Sequence, residues 1–438
     1  MPKRPPFVSA LALAVVASAS TWFYVNQILR AQQIADAAMH SRPRGNLSDL
    51  YPRWLGAREL LRHGRNPYSA EITREIQEGY YGRPLDAGRS DDPKDQQGFA
   101  YPVYVVFLLA PTIDLPFDRV QTAFRWLLVA LAAVSILLWL RVLRWRAPVG
   151  TVVILIVLML GWWPMVQGIK LQQLSLLVAG LLAACGACLA GGWLACAGGL
   201  LALATIKPQL TWPLVVWLLL WAFSDWRSRR RFIFGFGLIM LLLLAEAQYV
   251  LPGWIGMFVT AIRQYHAYTQ NQSVLVSLFG SILGRVLEVL SGLVCAACVW
   301  PLRREPASSA AFGRALGLVL ALTVVIVPMF APYNQVLLAP AILALLWSEN
   351  SREPILPAIR IARSIGGILL VWPWIATVGL ALAYFWLTPT VRERVWTLPF
   401  YSNFMLPVFI FGLALLNTWT TREEPAAQLA GERASRVV

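Results

Sequence analysis

Twelve apolar stretches separated by short polar connections run almost the whole length of this chain, and no single water-soluble core could bury them all. The first extends from Phe7 to about Ile28, behind Lys3 and Arg4. Six follow near Val120 to Val142, Val149 to Val166, Leu171 to Ala190, Trp193 to Thr205, Leu210 to Phe223 and Phe232 to Val250. The last five lie near Ser277 to Trp300, Phe312 to Val327, Gln335 to Trp347, Ile365 to Leu387 and Phe404 to Thr418. With 58% hydrophobic and only 13% charged residues among 438, lipid must solvate what a core cannot. The expectation is an all-α polytopic membrane protein of about twelve transmembrane helices. Ala17-Ser18-Ala19 resembles a leader cleavage site, but the apolar run continues through Trp22, Phe23 and Val25, so the segment reads as an uncleaved first helix.

A net charge of +15 would suit nucleic acid, but the basic residues come as short clusters between apolar runs, as cytoplasmic anchors do. No nucleic-acid partner is expected; membrane lipids are. The clusters Arg141/Arg144/Arg146, Arg227/Arg229/Arg230/Arg231, Arg303/Arg304 and Arg352/Arg360/Arg363 fall on the side of Lys3 and Arg4 if the short run Val103 to Ile113 does not cross. Arg392 and Arg394 are the exceptions. Both termini are then cytoplasmic, in the inner (plasma) membrane of a bacterium. The organisation reads as a first helix (1–29), a periplasmic loop (30–119), a transmembrane bundle (120–420) and a cytoplasmic tail (421–438). Cys185, Cys188, Cys196, Cys295 and Cys298 all sit in apolar stretches and read as packing residues.

This topology opens several polar connections toward the long loop: Gln167, Lys170, Gln172 and Gln173; Lys207 and Gln209; Asn271 and Gln272; Tyr333 and Asn334. A lysine bordering an apolar run either snorkels to the interface or reaches a watery cavity or an anion. Lys170 and Lys207 together, with amides nearby, favour an anion-binding pocket. Within the loop, Ser48 is expected to cap a helix with Asp49 and Pro52 in its first turn and Leu50, Trp54, Ala57 and Leu61 at helical spacing, stopped by Gly64. Arg53, Arg58, Arg62 and Arg65 would give it a charged opposite face, suiting an amphipathic helix at headgroup level. Read locally, Asp49 is a cap or a dipole partner. Asp86, Asp91, Asp92 and Asp95 read as a solvated loop, Arg285 and Glu288 as a neutralising pair, and Glu246 has no assigned partner.

Asp49 followed by this helix, Gly64 through Pro67-Tyr68, and Phe99-Ala100-Tyr101-Pro102 together resemble the bacterial GT-C glycosyltransferases of family 87. That family includes polyprenol-phosphate-mannose-dependent mannosyltransferases. The resemblance continues in Gln172-Gln173-Leu174-Ser175, Ile206-Lys207-Pro208-Gln209 and Asn271-Gln272-Ser273, and its specificity lies in their succession. The family commonly has two prolines after the tyrosine, where this chain has Pro102-Val103, and often histidine late, where this chain has Pro332-Tyr333-Asn334.

The resemblance implies a GT-C-type fold with Asp49 as catalytic residue and a polyprenyl-phosphate sugar donor approached from within the membrane. The expected reaction moves a hexose, mannose first, with inversion onto a hydroxyl of a lipid or glycan acceptor. Lys207, then Lys170, would hold the donor phosphate. Gln173, Gln209, Asn271, Gln272, Tyr101, Tyr333 and Asn334 would line the sugar and acceptor site; amides suit a polyol because they both donate and accept hydrogen bonds. No cofactor and no metal cluster are expected. The contrasting readings are a transporter or flippase of lipid-linked sugars, a polymerase or ligase joining lipid-linked glycans, and a scaffold.

Overall fold

The computed structural model describes residues 7–40, 44–86, 88–269, 272–348, 357–388, 391 and 394–435. Among the described residues the chain is all helix and turn. Each of the twelve apolar runs is a helix or a bent helix pair. Length and composition let six of them cross a membrane, and a seventh if the pair Val149–Gly161 and Trp163–Leu171, bent by 56°, counts as one span. The other five, at 10–17 residues, fall short of the roughly twenty that a 30 Å hydrocarbon core requires. Twelve full-length crossings are therefore more than helix length alone supports.

The first helix, α1 (Phe7–Met39), runs ten residues past the expected boundary at 29, through a π-helical turn at Tyr24–Leu29. Three helices then form the loop region: α2 (Tyr51–His63), α3 (Ala70–Tyr81) and α4 (Val105–Leu109). Gly64 ends α2 in the left-handed conformation, φ 65°, as its position implies. The cap differs from expectation: Leu50 is the N-cap residue, without a side-chain hydrogen bond, and Ser48 donates its hydroxyl to Gln172 instead. The apolar face of α2 is taken up by the protein itself. Leu50, Trp54, Ala57 and Leu60 join Ile72, Ile76 and Phe99 in a core continuous with the bundle. Glu59 is buried and, with Glu75, binds Arg65, tying α2 to α3. The run Val103 to Ile113 holds a helix of only five residues, Val105–Leu109, and packs into the protein: Val103, Val105 and Val106 are wholly buried and Trp54 donates to the Thr112 carbonyl.

The bundle continues with α5 (Phe117–Val142), α6 (Val149–Gly161), α7 (Trp163–Leu171), α8 (Leu174–Ala190), α9 (Leu194–Ala204), α10 (Pro208–Phe223), α11 (Trp226–Val250) and α12 (Trp254–Thr269). After them come α13 (Val274–Phe279), α14 (Ser281–Val299), α15 (Ala310–Ile326), α16 (Ala339–Ser348), α17 (Pro357–Ala383) and α18 (Met405–Ser435). The α6–α7 bend has a local cause: Trp162 is extended, ψ 132°, and Pro164 lacks the amide that would continue the helix. Arg229, one of the expected anchors, is instead buried, donating to the carbonyls of Trp221, Arg303, Arg304 and Glu305. Arg352 and Arg392 lie outside the described residues.

Short helix α9 packs on α11 through close backbone approach. A Cβ on Gly198 would lie 2.1 Å from the Phe232 carbonyl oxygen, and one on Gly235 would lie 2.1 Å from that of Ala195. Small residues at such crossings let helices meet where apolar burial gives no drive. Gly235→Leu should therefore destabilise the protein by about 1–3 kcal/mol, the usual scale of overpacking. Gly237→Leu, on the same helix with open space around its Cα, should not. Thermal unfolding of the two variants in the same detergent checks this.

Candidate functional site

The α7–α8 break carries the site. Gln172, at a left-handed φ of 52°, ends α7, and its side-chain amide donates to the carbonyls of Ile169 and Lys170. Its amide oxygen accepts from Ser48 Oγ at 2.7 Å and Gln121 Nε2 at 2.9 Å, while the Asp49 amide donates to the Leu171 carbonyl at 2.9 Å. These bonds bring Asp49 against Gln173, 124 residues further along the chain.

The Asp49 carboxylate accepts from Tyr80 Oη at 3.0 Å through Oδ1 and from Gln173 Nε2 through Oδ2. Gln173 Oε1 accepts from Lys207 Nζ at 3.2 Å, and Lys207 also donates to Ser175 Oγ at 2.6 Å. Ser175 passes the chain on to Asn334 Oδ1 at 2.8 Å. Lys207 is only 2% exposed, so its ammonium sits in a poorly solvated place. The rings of Tyr333 and Tyr101, at 5.2 and 6.0 Å from Nζ, give it cation–π partners.

Two motifs meet to hold Tyr101. Tyr68 donates its hydroxyl to the Tyr101 carbonyl at 2.6 Å, and the Tyr68 and Phe99 rings pack edge to face. Asp49, Arg53, Asp95, Tyr101, Gln173, Lys207, Gln209, Tyr265, His266 and Tyr333 then line one cavity of about 160 Å³. Tyr101, Gln173, Lys207, Gln209 and Tyr333 are thus brought together with Asp49. Asn334 stands behind Ser175 as a buried support. Gln272 is exposed, its backbone carbonyl accepts from the Phe330 amide, and it is not among the residues that line the cavity; Asn271 lies outside the described residues. Lys170 points elsewhere, donating to Gln33 on α1 at 2.8 Å.

Residues the motifs did not flag complete the wall. Arg53 stacks over the Tyr101 ring at 4.2 Å and donates Nη1 to the Asp49 carbonyl, facing inward rather than along a charged outer surface. Its i+4 spacing from Asp49 is the signal that could have found it. Tyr80 had no such signal, since α3 reaches Asp49 only through folding. Asp95 leaves the solvated acidic loop: Asp92 pairs with Arg83, whereas Asp95 turns into the cavity and accepts from Gln97. Among the described residues no three His, Cys, Asp or Glu side chains gather as metal ligands.

Burial pushes the Asp49 carboxyl above its ordinary value, against the pull of Arg53, Tyr80, Lys207 and Gln173, and burial raises Asp95 as well. Because Tyr80 stabilises the ionised form, Tyr80→Phe should move Asp49 further up. A lost hydrogen bond to a charge, worth about 1.5–3 kcal/mol, corresponds to about one to two pH units. Infrared difference spectra against Asp49→Asn should show the protonated carbonyl band persisting to higher pH in Tyr80→Phe.

The sequence profile of glycosyltransferase family 87 matches residues 99–328, more than half of the chain. Gln173, Lys207 and Tyr101 fall within the match; Asp49, Arg53 and Tyr80 precede it, and Tyr333 and Asn334 follow it. Neither curated proteins nor solved structures provide a match.

Proposed function

The chain belongs to glycosyltransferase family 87, and on that premise we propose that this membrane enzyme moves a hexose from a polyprenyl-phosphate donor to an acceptor hydroxyl on a lipid or glycan. Mannose is the first candidate for the sugar. The observation that carries the reading is a carboxylate, Asp49, facing the same small cavity as two sequestered cations, Arg53 and Lys207.

In the proposed step the acceptor oxygen attacks the anomeric carbon and gives its proton to Asp49, while the bond from that carbon to the phosphate oxygen breaks, inverting the configuration. Polyprenyl phosphate leaves with the bonding electrons. Its growing charge is met by Lys207 and Arg53, which are worth more in a poorly hydrated site than in water. Burial favours Asp49 as a base, because a carboxyl raised toward working pH takes a proton more readily than one at its ordinary value. Gln173 couples the two halves, holding Asp49 with its amide nitrogen and Lys207 with its oxygen. Gln209, Tyr265, His266 and Asp95 remain to meet sugar hydroxyls.

A lipid-linked donor is further supported by an apolar groove of about 340 Å³ between α10, α14 and α15. Gln209 lines the cavity; Trp212, Pro213 and Val216, one to two turns on along α10, line the groove, as does Ile326 just before the cavity residue Pro328. Gly292, in the groove wall with open space around it, provides a probe. Gly292→Leu should raise KM for a long-chain donor and leave a short-chain analogue unaffected, which initial-rate kinetics would read.

The central test supplies purified protein with a polyprenyl-phosphate hexose and follows release of lipid phosphate. Asp49→Asn should lower the rate by about 10²–10⁴-fold, the scale of general-base help, while donor binding persists. Near-normal turnover in that variant rejects the assignment, and wild-type protein that moves the lipid across a bilayer without cleaving it rejects the chemistry. Since the ionised form is the base, activity should fall as pH drops through the Asp49 pKa, and that fall should begin above the usual carboxylate range.

A further inference from the structure

At the opposite end of α5 from the catalytic cavity lies a second cleft, larger than the first at about 590 Å³. Gln121, near the start of α5, bonds Gln172 of the site, and Arg141 is twenty residues further along, about 30 Å away at 1.5 Å per residue. The cleft is lined by Arg141, Arg144 and Arg146 with Trp145, and by apolar residues that include Leu137 and Val152. Among the described residues, none of the three guanidiniums makes an ion pair or donates a hydrogen bond.

Backbone geometry gives an independent sign. Arg144 adopts φ 56°, the left-handed region where glycine or asparagine is the economical choice. An arginine held there suggests that its side chain, not the turn, is what the position requires. The surroundings distinguish a lipid from a soluble anion. Leu137 and Val134 on α5 and Val149 and Val153 on α6 are all exposed, so apolar surface extends from the cleft along both helices.

We infer that this cleft binds the phosphate headgroup of an anionic phospholipid, with the acyl chains lying along α5 and α6. Arginine suits phosphate because its planar fork donates two parallel hydrogen bonds, and Trp145 fits the headgroup boundary. Basic pockets between membrane helices hold anionic headgroups by this combination of charge and apolar wall. The site is independent of the transfer chemistry and stands if that reading fails.

The full-length protein, placed in phosphatidylcholine nanodiscs carrying a minority of phosphatidylglycerol, tests this by native mass spectrometry after gentle release. Wild type should retain phosphatidylglycerol selectively. The triple variant Arg141→Gln/Arg144→Gln/Arg146→Gln should lose that retention by roughly tenfold or more, given the contribution of each cation near an anionic surface. Arg144→Gly, which suits the turn, should weaken retention without impairing folding, separating binding from structure. A control triple, Arg227→Gln/Arg230→Gln/Arg231→Gln, removes three exposed cations elsewhere and should keep the lipid. Equal loss in both triples would assign the effect to diffuse surface charge and overturn the proposal. Inorganic phosphate that displaces the lipid at low concentration would make the cleft a soluble-anion site and overturn it too.

Discussion

The site depends on one junction, where the chain before α2 is fastened to the break between α7 and α8. Asp49 donates its amide to the Leu171 carbonyl, and Ser48 donates its hydroxyl to Gln172. Gln172 satisfies its own carboxamide with two backbone carbonyls of α7 and accepts from two partners besides. A buried amide so fully bonded is costly to disturb, since each lost partner leaves a desolvated polar atom. The carboxylate that faces the cavity is therefore held by a rigid element on each side, not by a loose loop.

Charge inside the cavity is close to balanced. Arg53 and Lys207 oppose Asp49 and Asp95, with tyrosine rings filling the space between. Such a set is poised: in a medium of low effective dielectric, an added negative group meets cations that water does not screen. The same burial that raises Asp49 also shields Lys207, so acid–base and electrostatic functions have a common physical origin. Gln173 keeps the two from collapsing into a direct ion pair, because its amide stands between them.

Helix length explains where this chemistry sits. Three of the short apolar elements begin at site residues: α8 after Gln173, α10 after Lys207, and the turn leading into α16 at Pro332, beside Tyr333. Short helices leave their polar ends inset from the ends of the longer spans, where a cavity can form beside apolar walls. The groove along α10 is the apolar continuation of that arrangement.

Composition and the rhythm of apolar runs were enough to indicate an all-helical membrane protein, because continuous apolar runs of this length suit helices, whereas the strands of a closed barrel alternate apolar and polar residues over about ten positions. The succession of short motifs pointed to the family and to four residues that line the cavity with Asp49, namely Tyr101, Gln173, Lys207 and Gln209, while the topology pointed to Tyr333. Local pattern was misleading wherever a side chain's partner lies far along the chain. Ser48 reads locally as a cap and Arg53 as an outer charge, since a local reading cannot see Gln172 or Tyr101 across the fold. Lys170 and Lys207 were alike in sequence, each bordering an apolar run, and only packing sent one to Gln33 and the other into the cavity. The sequence determined which residues lipid would tolerate at helix ends; tertiary structure decided which of those ends converge, because convergence is a property of helix crossings and breaks that a one-dimensional period does not encode.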